Sequence, residues 1–239
     1  MEEKAIRGNL GSLILRPLNV EVARKEAEEI PRLVMGDIAL VLSMEPAYQR
    51  TGYFTIEVRR KLLEKWGVRE REALGYALFH TQRLYPARLC QVENLWNWNM
   101  EHRSGSGIEQ IRKGSRGYML TNARQTDGAI SVFYPNVAKR IAEAMEKDFL
   151  IAFTSVHEAQ LHEAEAINPD AIETSLRRTN IQCNRKEETL TDFVYRYCRE
   201  SGKFQRMKNG VFQDEEFLWE GPDGKEPVCL DEITKRVMK

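Results

Sequence analysis

Two kinds of apolar pattern organise this chain. Continuous runs come first: Ile38-Ala-Leu-Val-Leu-Ser-Met44 and Phe149-Leu-Ile-Ala-Phe-Thr154 have the length and β-branched or aromatic content of buried strands. Between them lie alternating stretches at 117–122 and 129–134, flanking a turn-rich Gln125-Thr-Asp-Gly128, which together predict a β-hairpin. Helical spacing follows at 136–147, where Val137, Ile141 and Met145 recur every four residues beside Ala138 and Ala142, with Pro135 suited to a first turn. The order is β-β-α-β. It predicts an α+β fold, a mostly antiparallel sheet with helices packed on it.

The same reading extends outward. Asn19 can cap a helix from Val20 toward Glu29, ended by Pro31. Tyr53–Val58 has strand composition and can pair with the 38–44 run. Two helices follow, one carrying Leu62, Leu63 and Trp66 and stopped by Gly67, the next placing Leu74, Ala77 and Leu78 on one face. Asn168-Pro-Asp170 opens a helix that buries Ile172 and Leu176 and runs to about Thr179. Thr191–Cys198 and Lys203–Met207 form a hairpin about Ser201-Gly202, and a last helix is expected at 230–238. Residues 155–166 admit two readings. Ser155 and Glu158 could be a helix capping box, or Ser155 and His157 could extend the preceding strand's face; a strand is the preferred reading. The expected organisation is a single α+β domain over 1–207, with parts at about 10–92 and 117–207 joined by a loop at 93–116, then a C-terminal extension over 208–239.

Composition narrows the function classes. Thirty-six basic and 36 acidic residues cancel, so the chain lacks the excess charge that drives nonspecific binding to nucleic acid or anionic lipid. No apolar run approaches the roughly 20 residues that span a membrane, and the start has no apolar leader, so a cytoplasmic protein is expected. Cys90, Cys183, Cys198 and Cys229 are far apart and form no C-x-x-C pair, which favours free thiols over zinc or disulfides.

Several motifs in order resemble an uncharacterised bacterial family, domain of unknown function 5688. They are Leu62-Leu-Glu-Lys-Trp-Gly-Val68 before an acidic helix, Tyr118-Met-Leu-Thr-Asn122, Gly128-Ala with Tyr134-Pro135, Ser155-Val-His-Glu158 and Leu190-Thr-Asp-Phe-Val-Tyr-Arg-Tyr197. The resemblance covers roughly residues 10–207. It implies the fold and the domain boundary, and it implies no activity. Family members carry a further segment ahead of Leu13-Ile14 that is expected to be missing here.

Candidate chemistry concentrates in two places. His157 beside Glu158 offers a base and a carboxylate, but strand neighbours point to opposite faces, and Ser155, His157 and Glu158 can equally tie down a turn. His157 and His162 are one residue too far apart for a zinc-protease helix, since five residues rotate about 140°. Asn122, Arg124 and Asp127 sit at the hairpin end and could bind an anion, although Asx turns explain Asp127 as well. Trp96, Trp98, Arg103 and Arg112 mark the 93–116 loop as a contact surface; the P-loop pattern fails there, because Arg112 stands where glycine is required. No catalytic constellation is complete, and no metal or cofactor is expected. The preferred reading is a non-catalytic protein that binds another protein, with nucleic acid unlikely. The alternative is a hydrolase- or transferase-like enzyme with His157 as general base.

Overall fold

The computed structural model describes residues 10–23, 29–45, 54–91, 111, 117–221 and 224–237. The chain forms two compact units, Met1–Leu84 with Phe217–Lys239, and Tyr85–Glu216. Both are antiparallel sheets carrying helices, the expected α+β class.

In the first unit the 38–44 run is a strand, as its unbroken apolar character requires. This strand, β3 (Ile38–Met44), is buried along nearly its whole length between β1 (Leu13–Asn19) and β2 (Arg32–Met35). β4 (Ile56–Glu57) pairs with its far end, Ser43 opposite Glu57, so the expected pairing of the two segments holds. Asn19 accepts the Glu21 amide and caps the short α1 (Val20–Ala23). Gly67, at φ +66°, stops α2 (Arg60–Trp66) in the left-handed conformation that a side chain would resist. Leu74, Ala77 and Leu78 of α3 (Glu70–Leu84) are buried. The helix also covers the sheet's edge: Thr81 Oγ1 accepts the Leu15 amide at 2.9 Å, and His80 Nδ1 donates to the Leu13 carbonyl at 3.0 Å. β12 (Phe217–Gly221) and β13 (Gly224–Val228) extend the sheet beyond β2, and α6 (Leu230–Val237) packs on α3.

The second unit is a sheet in the order β11-β10-β9-β7-β8-β6-β5. Its strands are β5 (Ala87–Gln91), β6 (Tyr118–Asn122), β7 (Phe149–Ser155), β8 (Glu158–Glu163), β9 (Tyr195–Tyr197), β10 (Phe204–Lys208) and β11 (Val211–Glu215). Alternation along β7 divides two cores. Phe149 and Phe153 stack with Tyr197 and Phe133, at ring-centre distances of 5.5 and 5.6 Å. Leu150 and Ala152 face the other way, against Ile172 and Leu176 of α5 (Pro169–Cys183), with Val194 and Met207. Asn168 caps α5 through the Asp170 amide, and the helix runs one turn past Thr179. The boundary expected at 207/208 falls inside the β10–β11 hairpin.

The central β-β-α-β reading needs correction. Residues 129–134 are not a strand: Gly128–Phe133 form a 3-10 helix, and β6 pairs instead with β5 and β8. Every residue of that helix is buried, so its alternation of small and large side chains carried no inside–outside information. The helix at Val137–Met145, α4, is as expected, with Val137, Ile141 and Met145 buried. Within 155–166, Ser155 and Glu158–Glu163 are strand, as preferred, but not one strand through His157. The chain turns at Val156-His157 and returns as β8, so Ser155 and His157 do not share a strand face.

The polar anchor of β12 yields a test. Arg32 Nε donates to Glu220 at 2.6 Å, Lys225 pairs with the same carboxylate, and Arg32 is buried. Burial alone would push the Glu220 carboxyl up; Lys225 and Arg32 outweigh it and hold it below the usual 4.5. A depressed folded value means the contribution is fully present above the usual 4.5 and is lost as pH falls from there through the lowered folded value. Glu220→Gln should cost about 2 kcal/mol at pH 7, roughly thirtyfold in hydrogen exchange of the β12 amides. It should also flatten the acid dependence of that exchange.

Candidate functional site

The candidate residues Asn122, Arg124, Asp127, Ser155, His157 and Glu158 lie where the chain leaves β6 and where β7 turns into β8. Asn122, 1% exposed, shapes the exit. Its Oδ1 accepts the Arg124 and Gln125 amides at 3.0 and 2.9 Å, and its Nδ2 donates to the Thr126 carbonyl at 3.1 Å. This is the local side-chain bonding that favours asparagine in turns. Gln125 and Asp127 are held at φ +61° and +54°. The loop then delivers Gly128 against the β6 backbone and the His157 carbonyl. A Cβ on Gly128 would lie 2.1 Å from Thr121 Oγ1 and 2.4 Å from the His157 oxygen. Only glycine fits.

His157 closes the corner from the other side. Its carbonyl accepts the Thr121 hydroxyl at 2.7 Å, its amide donates to Ser155 Oγ at 3.0 Å, and its Nδ1 accepts the Asp127 backbone amide at 3.1 Å. The last bond fixes the chemistry of the ring. A backbone N–H donates to a nitrogen lone pair, so Nδ1 is unprotonated and the neutral ring carries its proton on Nε2. Glu158 does not meet His157: Thr154 Oγ1 donates to Glu158 Oε1 at 3.3 Å. Arg124 lies 5.2 Å from the Tyr85 ring centre. Thus Asp127 and Ser155 are each joined to His157 by a hydrogen bond with a backbone amide at one end, and Asn122 holds the intervening loop through its backbone, with Glu158 and Arg124 beside them. Trp96, Trp98, Arg103 and Arg112 lie outside the described residues.

A member of this corner absent from the candidate site residues is Tyr134. It is 2% exposed, and its hydroxyl and the Ser131 hydroxyl are buried without a hydrogen-bond partner. Burial pushes the Tyr134 phenol well above its usual 10.0; Ser131 and Asn122 lie beside it and ease ionisation, but neither meets it with hydrogen-bond geometry. In the sequence, Tyr134-Pro135 carried part of the family resemblance and Pro135 a helix start, and neither signals a buried hydroxyl. A cleft of ≈680 Å³ opens elsewhere in this unit, lined by Lys147, Arg196 and Arg199 among acidic residues. Those cations are engaged, Lys147 with Glu165 at 3.0 Å, Arg199 Nη1 with the Glu146 carbonyl at 3.1 Å, and Arg196 with Gln205 at 2.7 Å.

Among the described residues no group of three or more His, Cys, Asp and Glu could hold a metal ion, and no helix is long and apolar enough to cross a membrane. The sequence pattern of a family of unknown function, domain of unknown function 5688, matches residues 10–199. The chain belongs to that family. The matched residues include the whole corner. Comparison with characterised proteins and with solved structures returned no match.

Two substitutions test the corner. Gly128→Ala forces backbone apart on both sides and should destabilise the protein by about 2–3 kcal/mol in chemical denaturation. Tyr134→Phe should leave stability at pH 8 unchanged or slightly higher, since it removes an unpartnered hydroxyl. Because the folded phenol holds its proton above the usual value, wild type loses stability as pH rises past 10.0, where the unfolded chain ionises first. Urea midpoints at pH 8 and pH 11 should fall further in wild type than in Tyr134→Phe.

Proposed function

We propose that this member of the family is a non-catalytic cytoplasmic protein of a bacterium that acts by binding another protein. One observation carries the reading: the imidazole of His157, the best candidate for a base, has a backbone amide on Nδ1 and its proton on Nε2. A general base needs a free lone pair aimed at substrate, and a triad-like arrangement would place a carboxylate at Nδ1, where this corner places an N–H donor instead. Ser155 is likewise used as an acceptor for the His157 amide. The alternative of a hydrolase or transferase is therefore not favoured. The four cysteines are free thiols, which fits a reducing compartment. The resemblance to a bacterial family supports the cellular setting, and the aromatic and basic 93–116 segment supplies contact residues for a protein surface.

Affinity purification of the tagged protein at native expression, followed by reconstitution with the purified partner, tests this. A stoichiometric partner should bind wild type and His157→Gln alike and be lost on deletion of 101–115. Failure to find a partner, together with hydrolysis of an ester or phosphoester substrate that disappears in His157→Ala, would overturn the reading.

A further inference from the structure

The first unit takes its outer strands from residues 217–228, and the attachment is uneven. β12 meets β2 through two residue pairs, Leu218 with Val34 and Trp219 with Leu33, whereas β1 and β3 stay in register from Leu13–Met44 to Asn19–Ile38. Most of β12 is half-buried and most of β13 exposed; each buries one apolar side chain, Phe217 and Val228, at the end remote from the hairpin turn. The rest of the attachment is polar and comes from three separate elements. Arg32 on β2 donates to the Glu220 carboxylate at 2.6 Å; Arg60, at the start of α2, donates to the Glu220 carbonyl; Arg71 on α3 pairs with Glu226 and lies 4.6 Å from the Trp219 ring centre. The Trp219 indole N–H donates to Glu70 at 3.1 Å, and Glu70 is itself paired with Arg60 at 2.8 Å. The residues matched to the family contain β2 and all three arginines but none of β12 or β13. Within the matched region, then, β2 ends the sheet. An open strand edge set among guanidinium groups is a template for an extended acidic segment.

We propose that the β2 edge, with Arg32, Arg60 and Arg71, is an acceptor for an extended peptide strand bearing an aromatic residue followed by an acidic one, and that this chain's own Trp219–Glu220 occupies it as a displaceable internal ligand. The β2 backbone supplies main-chain hydrogen bonds to any strand. Selectivity comes from Arg71 over the aromatic face and Arg32 on the carboxylate. Ile233 and Thr234 of α6 are buried, so the far end of the hairpin stays tethered when it lifts. A partner strand therefore competes with one held at high effective concentration. The site lies in the first unit and does not depend on the corner in the second.

A fluorescein-labelled peptide of residues 216–228, titrated by anisotropy into full-length protein, tests the proposal. Trp219→Ala/Glu220→Gln, which weakens the internal ligand, should bind the peptide at least tenfold tighter than wild type, and adding Arg32→Gln should abolish the gain. Equal binding by both proteins, with the circular dichroism of the variant unchanged, overturns the proposal. Should the variant fail to fold, hydrogen exchange of wild type decides. Amides of 217–221 exchanging at least tenfold faster than those of Leu40 and Leu42 support a displaceable segment, and exchange in step with them overturns it.

Discussion

The approach of Gly128 to the β6 backbone and the His157 carbonyl governs the second unit. With no room for a Cβ there, the chain leaving β6 can tuck beneath the β7–β8 turn, and the 3-10 helix that follows lies wholly inside. That placement brings Phe133 onto Phe153 and buries Tyr134. It also aims the Asp127 amide at the His157 ring. The polar residues here behave as a joint. Asn122, Ser155 and His157 each satisfy a backbone group that the excursion would otherwise strand, which is what buried loops require. Close packing of this kind tolerates little change.

Much of this was legible in the sequence. Runs with one reading, such as Ile38–Met44, Phe149–Ser155 and the α4 helix, formed the expected elements because their periodicity reflects one physical choice about which face is buried. Local chemistry was equally readable: Asn19 and Asn168 cap helices, Gly67 stops one, and Asn209-Gly210 turns β10 into β11 with both residues at positive φ. What escaped was structure set by distant partners. Residues 129–134 alternate by accident of small side chains. β5 is short and depends on β6, beyond the 93–116 segment, and nothing local marks Leu89 as sheet; β2 closes a two-residue hairpin with β3 at Gly36-Asp37, but its other edge is covered by residues after 217. Residue types alone put Asn122, Asp127, Ser155 and His157 on the candidate list, but not the hydrogen bonds they make. The sequence places His157 next to Glu158, while the turn separates them and gives each a different partner.

The outer strands of the first unit illustrate the same limit. Phe217–Val228 carries Trp, Glu and Pro in an order that predicts only turns and an extension. Its meaning comes from three arginines contributed much earlier in the chain. Partly buried charges in such a network matter through mutual satisfaction: Arg32 at 6% exposure would be costly without Glu220, and Glu220 without Arg32 and Lys225 would be pushed toward its neutral form.

The first unit is discontinuous, its sheet drawing on residues before Leu84 and after Phe217 with the whole second unit between. During synthesis, at roughly 5–20 residues per second, β1 to β4 leave the ribosome many seconds ahead of β12. The nascent chain must therefore hold a half-finished sheet, its β2 margin uncovered, while the inserted unit folds to completion. Closure of this sheet is accordingly expected to wait for residues made after the inserted unit, when 217–221 come back to β2.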